Sequence, residues 1–298
     1  MAAVDYARPL TPSGNLRRRR VVDRLMRGSA TAAALVAVAV LGLMVFAIAQ
    51  RGAGEISFAF LTQNSPEQLY TPGGGIANAI IGTALMVALA TAVALPLGVL
   101  IAVYLTEYAT QRTAGPIRLA LDLLYGLPSI VIAIFIYGAL VYGSGQTGFY
   151  ASLALAIIML PLIARTTGEA LALVPNELRD ASHALGISRW RTTVGITIPS
   201  ALGGILTGTV LAVARAAGET APMLLLASVF DNTKTSFDIF GQALPNIPYE
   251  IFNLAESGGT VNVAKAWGAA LVLVVVVLIA SLGARALQHR STRMMSRR

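Results

Sequence analysis

Cysteine is absent from the 298 residues, and lysine occurs only as Lys234 and Lys265. Without a thiol there is no disulfide framework, no thiolate metal site and no cysteine nucleophile. Charge is scarce as well: 12% of residues are Asp, Glu, Lys or Arg, against about 25% in soluble domains. That deficit is too large for a surface facing water on every side. The phosphate-cradling pattern G-x-x-x-x-G-K-[ST] is also missing, so the chain has no route to ATP hydrolysis through such a loop.

What fills the chain instead is apolar. Hydrophobic residues make up 56% of it and the mean hydropathy is +0.71. Several apolar runs reach about twenty residues, enough to cross a bilayer core of roughly 30 Å as a helix. The expected architecture is all-α and polytopic, with about six transmembrane helices near 29–49, 76–105, 119–141, 149–173, 201–227 and 266–287. The first follows a basic flank as a signal peptide would, but no convincing small-residue cleavage site comes after it, so it is read as a retained helix. The second contains Pro96 and Gly98 and is expected to kink or tilt. This reading divides the chain into a basic arm (1–28), a six-helix transmembrane domain (29–287) and a basic tail (288–298). A polar loop is expected at 228–265.

The net charge of +8 comes from 20 arginines and two lysines set against 14 acids, and the arginines cluster. With the N-terminus inside, seven basic residues precede the first span and two (Arg112, Arg118) lie between the second and third. Three more (Arg179, Arg189, Arg191) lie between the fourth and fifth, and five follow the sixth. Only Arg51, Lys234 and Lys265 fall on the opposite side. This bias predicts both termini in the cytoplasm. The basic arm lacks the interleaved aromatics and Gly-rich texture of a nucleic-acid-binding tail. It is read as a topology signal or a contact with anionic membrane lipid, with no nucleic-acid partner.

The predicted cytoplasmic loop 174–199 is conspicuously polar between two apolar runs. Pro175 and Asn176 form a plausible helix start, with Glu177 in the first turn. Leu178, Ala181, Ala184 and Leu185 make one small apolar face, and Gly186 is the expected stop. Such a helix could lie on the membrane surface or dock another protein. Within it, Asp180-Ala181-Ser182 is followed after three residues by Gly186, and after nine more by Ile196-Thr197-Ile198-Pro199. This spacing resembles the Glu-Ala-Ala loop of binding-protein-dependent ABC importer permeases, with Asp for Glu, Ser for Ala and Ile for Leu. The resemblance implies that Asp180, Ala181, Ser182, Leu185, Gly186 and Pro199 couple the chain to a separate cytosolic ATPase. ATP would then be used by that partner, with no cofactor in this chain.

Two ionisable pairs fall inside predicted spans: Arg165-x-x-x-Glu169 and Arg215-x-x-x-Glu219. At this spacing each pair shares one helix face, and a charge in the bilayer is costly enough to need a reason. Each could be an inert clasp between helices. Alternatively, the arginines could be stepping points for an oxyanion, since guanidinium forks suit tetrahedral anions. Gly204-x-x-x-Gly208 reads as close helix packing.

The stretches "YGLPSIVIAIFIYG" (125–138), "ARAAGETAPMLLLA" (214–227) and "LPNIPYEIFNLAESGG" (244–259) are similar to the PstA family of phosphate-importer permeases, over about 75–285. That likeness implies the MetI-like permease fold with its cytoplasmic coupling helix, in a bacterial inner membrane. It also implies a heterodimer with a PstC-like permease, a PstB-like ATPase dimer and a periplasmic phosphate-binding protein. The open alternatives are another oxyanion (sulfate, molybdate or phosphonate) or a secondary transporter, although no inverted repeat is apparent.

Overall fold

The computed structural model describes residues 16–66, 73–228 and 234–295. All its regular elements are helical. The chain divides into two compact units, residues 1–47 and 48–298. The first unit is the body of α1 (Leu16–Gly52), a 37-residue helix. It starts well before the expected first span, so the described half of the basic arm is helical. The remainder of the arm, residues 1–15, lies outside the described residues.

The second unit carries the core. The short helix α2 (Phe58–Thr62) is capped by Ser57, whose hydroxyl accepts from the Phe60 amide at 3.1 Å. The helix α3 (Ala77–Val103) runs unbroken past Pro96 and ends in a π-helical turn, Tyr104–Tyr108. No break interrupts it at the expected kink.

The expected single span at 119–141 is corrected by the structure. An amphipathic helix, α4 (Gln111–Gly126), begins eight residues earlier. It is followed by α5 (Ser129–Ile136) and a π-helical turn, Tyr137–Val141. The two halves meet at 97°. The break falls where Pro128 follows Leu127: proline drives the residue before it out of helical geometry, and Leu127 is extended at φ −68°, ψ 134°. Hydropathy runs straight through this elbow because the residues on both sides are apolar.

The central helix is α6 (Gly148–Ala172), capped by Thr147. It packs on α3 on one side and α9 (Ile198–Ala217) on the other. Between them on the chain come α7 (Asn176–Ala184) and α8 (Arg189–Thr192), and a π-helical turn (Thr193–Thr197) leads directly into α9. Pro199 sits in the first turn of α9, and helical structure is continuous from Arg189 to Ala217. The expected fifth span therefore starts earlier than 201. It also stops earlier, at Ala217, because the chain breaks at Gly218 before the short α10 (Ala221–Leu226).

Missing side chains let these helices approach. A Cβ on Gly98 would stand 2.8 Å from Ile163, one on Gly204 would stand 2.5 Å from Ala170, and one on Gly208 would stand 2.0 Å from Thr166. The pair Gly204 and Gly208 thus presses α9 onto α6, the packing its spacing predicts. Buried Ala154, Leu155, Ile158, Met159 and Ile163 of α6 fill the space between, with Met86, Ala90 and Ala94 of α3 and Ala212 and Ala216 of α9.

The expected polar loop at 228–265 is also corrected. It holds a helix, α11 (Ile247–Ser257), capped by Asn246, whose side chain accepts from the Tyr249 amide at 2.9 Å. Residues 229–233 of that loop lie outside the described residues. Thr83 of α3 accepts from the Ile247 amide at 2.9 Å, and Ser65 donates to Glu250 at 3.0 Å. Both bonds are buried and fix α11 to its neighbours. Burial and the nearby carboxylates of Glu250 and Glu256 push the Tyr249 phenol above its usual pKa. The last helix, α12 (Thr260–Met295), starts six residues before the expected span and contains Lys265, buried rather than in a loop. The basic tail is helical to Met295, and its last three residues lie outside the described residues.

Candidate functional site

The two arginine–glutamate pairs close as their spacing predicts. Arg165 Nε lies 3.4 Å from Glu169 Oε1 on α6, and Arg215 Nε lies 3.3 Å from Glu219 Oε1 at the end of α9. They differ in setting. The first pair is open, with side chains 61% and 67% exposed; in the second, Glu219 is only 15% exposed. Arg165 sits 17 residues into α6, about 26 Å from its N-terminal end at 1.5 Å per residue.

Arg165 and Glu169 face a cavity of about 400 Å³ formed by α6, α4 and the end of α3. On the α4 side the lining includes Arg118, Asp122 and Tyr125. The Tyr125 ring also carries the Arg215 guanidinium, 5.4 Å from its centroid. One aromatic side chain therefore touches both arginine sites. Cation–π contacts of this kind are worth about 0.5–2 kcal/mol, depending on desolvation. Arg118 thus lies on a helix rather than in the connection expected between the second and third spans, and Asp122 and Tyr125 join the site without having been candidates. The signal was available, because Arg118-x-x-x-Asp122 repeats the spacing of the two pairs already singled out.

The polar loop 174–199 folds into α7, a tight turn and the start of the α8–α9 run. Helix α7 ends in a Schellman arrangement: the Gly186 amide donates to the His183 carbonyl at 2.9 Å, and the Ile187 amide to the Ser182 carbonyl at 3.1 Å. This closure needs a left-handed residue past the helix end, and Gly186 sits there at φ +75°. Asp180, Ala181, Leu185, Gly186 and Pro199 are exposed. Leu178, Ala181, Ala184 and Leu185, the expected small apolar face, are all exposed as well. Ser182 differs from the rest. It is buried and shares a 2.7 Å hydrogen bond with Thr192, so it braces α7 against α8 instead of facing outward. His183 is exposed, its Nδ1 3.4 Å from the Ile187 carbonyl.

A further contact, not legible beforehand, fastens this loop to the body. Arg179 of α7 reaches the buried Glu107 in the π-helical turn ending α3, with Nε and Nη2 at 3.1 and 2.9 Å from Oε1. Its Nη1 also donates to the Val174 carbonyl (2.7 Å) and Asn176 Oδ1 (3.1 Å), and its Nη2 to the Leu171 carbonyl (2.9 Å). Five bonds match the five donors of a guanidinium. Two of the acceptors are carbonyls just at and past the end of α6, where a cation is favoured by the helix dipole. Beside this clamp the Arg189 guanidinium stacks over Tyr108 at 5.1 Å. Among the described residues, no group of three His, Asp or Glu side chains is placed to hold a metal ion.

Comparison with known proteins places this geometry in context. Residues 94–293 match the family described as binding-protein-dependent transport system inner membrane component. The phosphate transport system permease protein PstA of Xylella fastidiosa (strain 9a5c) is 37% identical over 278 residues, spanning 92% of this chain and 95% of that protein. PstA 1 of Mycobacterium tuberculosis (strain CDC 1551 / Oshkosh) is 38% identical over 230 residues, spanning 76% and 74%. Among solved structures, a bacterial alginate ABC transporter superposes with a TM-score of 0.67 at 16% identity, covering 93% of this chain and 98% of that one. The MetNI methionine ABC transporter gives 0.56 at 17%, covering 72% and 97%. At such identities the structural likeness speaks for the fold alone.

Proposed function

We propose, from the premise that this chain belongs to the binding-protein-dependent transport system inner membrane components and to the PstA permeases among them, that it is the permease subunit of an ABC importer carrying inorganic phosphate from periplasm to cytoplasm. It is a multi-pass membrane protein and a transport subunit of a larger assembly. The finer reading puts it in the bacterial inner membrane with both termini cytoplasmic, consistent with its arginine distribution. A PstC-like permease would pair with it, a PstB-like ATPase dimer would sit below, and a periplasmic phosphate-binding protein would deliver the anion. The sequence lacks the G-x-x-x-x-G-K-[ST] pattern, in keeping with ATP being spent by the ATPase partner.

The observation that carries the anion part of this reading is the cavity between α4 and α6. Its side chains include two guanidinium groups, and a third is linked to it through Tyr125. Guanidinium groups donate paired hydrogen bonds to a tetrahedral oxyanion. Glu169 and Glu219 occupy their arginines in the empty state, and an arriving phosphate competes with them. Such competition keeps affinity low, which a path needs because a tightly held ion leaves slowly. On the ATPase side, the exposed acid and small apolar residues of α7 suit a docking helix. The Arg179–Glu107 clamp then passes displacement of that helix directly into α3 and α6.

The test is uptake by the whole complex in proteoliposomes loaded with ATP. Phosphate should accumulate in an ATP-dependent way and be displaced poorly by sulfate, molybdate or phosphonate. Arg215→Gln should abolish uptake while the subunits still co-purify. Uptake that continues with the ATPase omitted would point to a secondary transporter, and normal uptake by Arg215→Gln would reduce that residue to a helix clasp.

A further inference from the structure

Around the cavity between α4 and α6 three arginines are followed four residues later by an acid: Arg118–Asp122 on α4, Arg165–Glu169 on α6, and Arg215 on α9 with Glu219 just past its end. The second and third pairs are closed at 3.4 and 3.3 Å. The first is open. Among the described residues Arg118 makes no ion pair, although Asp122 lies one helical turn away and both line the same cavity as Arg165 and Glu169. The chemical difference between the pairs is one methylene, since aspartate reaches less far than glutamate. Arg118 is exposed and its guanidinium retains all its donors.

We propose that Arg118 is a third anion-contacting residue of the transport path, and that the elbow helix α4 is an anion-binding element as well as a span segment. This inference rests on the phosphate-permease reading above. The cavity of about 400 Å³ holds roughly a dozen water-sized volumes of ~30 Å³ each, so a partly hydrated tetrahedral anion fits between Arg118 and Arg165. Asp122, next to Arg118 but not bonded to it, weakens the site enough for the anion to leave. The same helix presents Tyr125 beneath Arg215, so α4 contacts both arginine sites that other helices provide. It is also directly joined to the coupling apparatus. Only Ala109 and Thr110 separate it from the π-helical turn that carries Glu107, the residue Arg179 of α7 grips. Motion delivered to α7 therefore reaches the start of α4, where Thr110 and Thr113 cap the helix, before it reaches Arg118.

The test uses the complete transport complex in proteoliposomes with radiolabelled phosphate, comparing Arg118→Gln, Arg118→Lys, Asp122→Asn and Arg165→Gln. Arg118→Gln is expected to lower uptake at subsaturating phosphate by about tenfold or more, the worth of one charge-assisted hydrogen bond. Subunit co-purification and ATP hydrolysis stimulated by the loaded binding protein should persist. Arg118→Lys should restore part of the loss. Asp122→Asn should lower both the half-saturating phosphate concentration and the maximal rate, the pattern of an anion held too long. Wild-type uptake by Arg118→Gln at low and high phosphate overturns the inference. If Arg118→Gln fails to assemble, Asp122→Asn decides, and an unchanged phosphate dependence in that variant overturns it equally. The underlying reading is tested separately: Arg165→Gln and Arg215→Gln transporting normally would remove the anion path altogether. Loss of uptake in those two with none in Arg118→Gln would remove only the role of α4.

Discussion

Replacing Arg179 with methionine would leave the Glu107 carboxylate in place without its cation. Glu107 is 8% exposed and Arg179 17% exposed at the side chain, so water can replace little of what is lost. The substitution keeps an unbranched apolar stem while deleting five donors, three of which satisfy the Leu171 and Val174 carbonyls and Asn176. Breaking a buried pair by removing one partner costs about 3–5 kcal/mol, and the lower figure suits a pair that is not fully sealed. That energy holds α7 against the ends of α3 and α6, so its loss should appear as local opening rather than global unfolding. About 3 kcal/mol corresponds to an increase on the order of 100-fold in the opened population. Hydrogen exchange of the complex in nanodiscs, read on the α7 amides, should show acceleration of that order, with the α6 interior unchanged. If α7 is the docking helix proposed above, ATP hydrolysis should continue while phosphate uptake falls, because α7 no longer drives the body. Glu107→Gln, which keeps an acceptor and removes the stranded charge, should cost less, and combining it with Arg179→Met should cost less than Arg179→Met alone. Unchanged exchange in α7, or a double variant as damaged as the two single effects added together, would refute the clamp as the mechanical link.

Two further outcomes can be checked more simply. Tyr125→Phe should transport nearly as well as the wild type because the ring under Arg215 remains, while Tyr125→Leu should lose about two- to fivefold in uptake, matching a cation–π contact of roughly 0.5–1 kcal/mol. Gly82→Ala should destabilise the protein by about 1–3 kcal/mol, seen as a lower thermal midpoint in detergent, because the added Cβ would stand 1.9 Å from the Pro245 carbonyl oxygen. That oxygen is backbone and cannot rotate away.

Much of the architecture was readable in advance, and the misses have physical causes. Long apolar runs located the spans because bilayer thickness dictates their length. Gly186 was correctly read as a helix stop because few residues tolerate its left-handed backbone. The elbow in the third span escapes a sequence reading because hydropathy records what a residue prefers as solvent, not which way the chain turns. Pro128 was in view, but an unbroken apolar run hid its effect. Helix α11 was missed for the opposite reason. Pro248 was read as a loop residue, whereas a proline in the first turn, behind the capping Asn246, is compatible with a helix start. For the site, spacing identifies the two pairs, whereas the pair Arg118–Asp122 straddles the expected start of the third span at 119, which separates its two members on paper. Glu107 and Arg179 lie 72 residues apart, and no local pattern joins them.

The contacts of Gly98, Gly204 and Gly208 with α6 have a mechanical side. Helices that touch where Cβ atoms are missing mesh in one register only. A slide of one residue, about 1.5 Å, would bring a side chain to a place with room for none. Shear among α3, α6 and α9 is therefore blocked, and the three helices behave as a stiff wedge rather than a deck of sliding rods. Elastic strain is left to the joints outside the wedge, among them the breaks at either end of α4 and the one at Gly218 between α9 and α10.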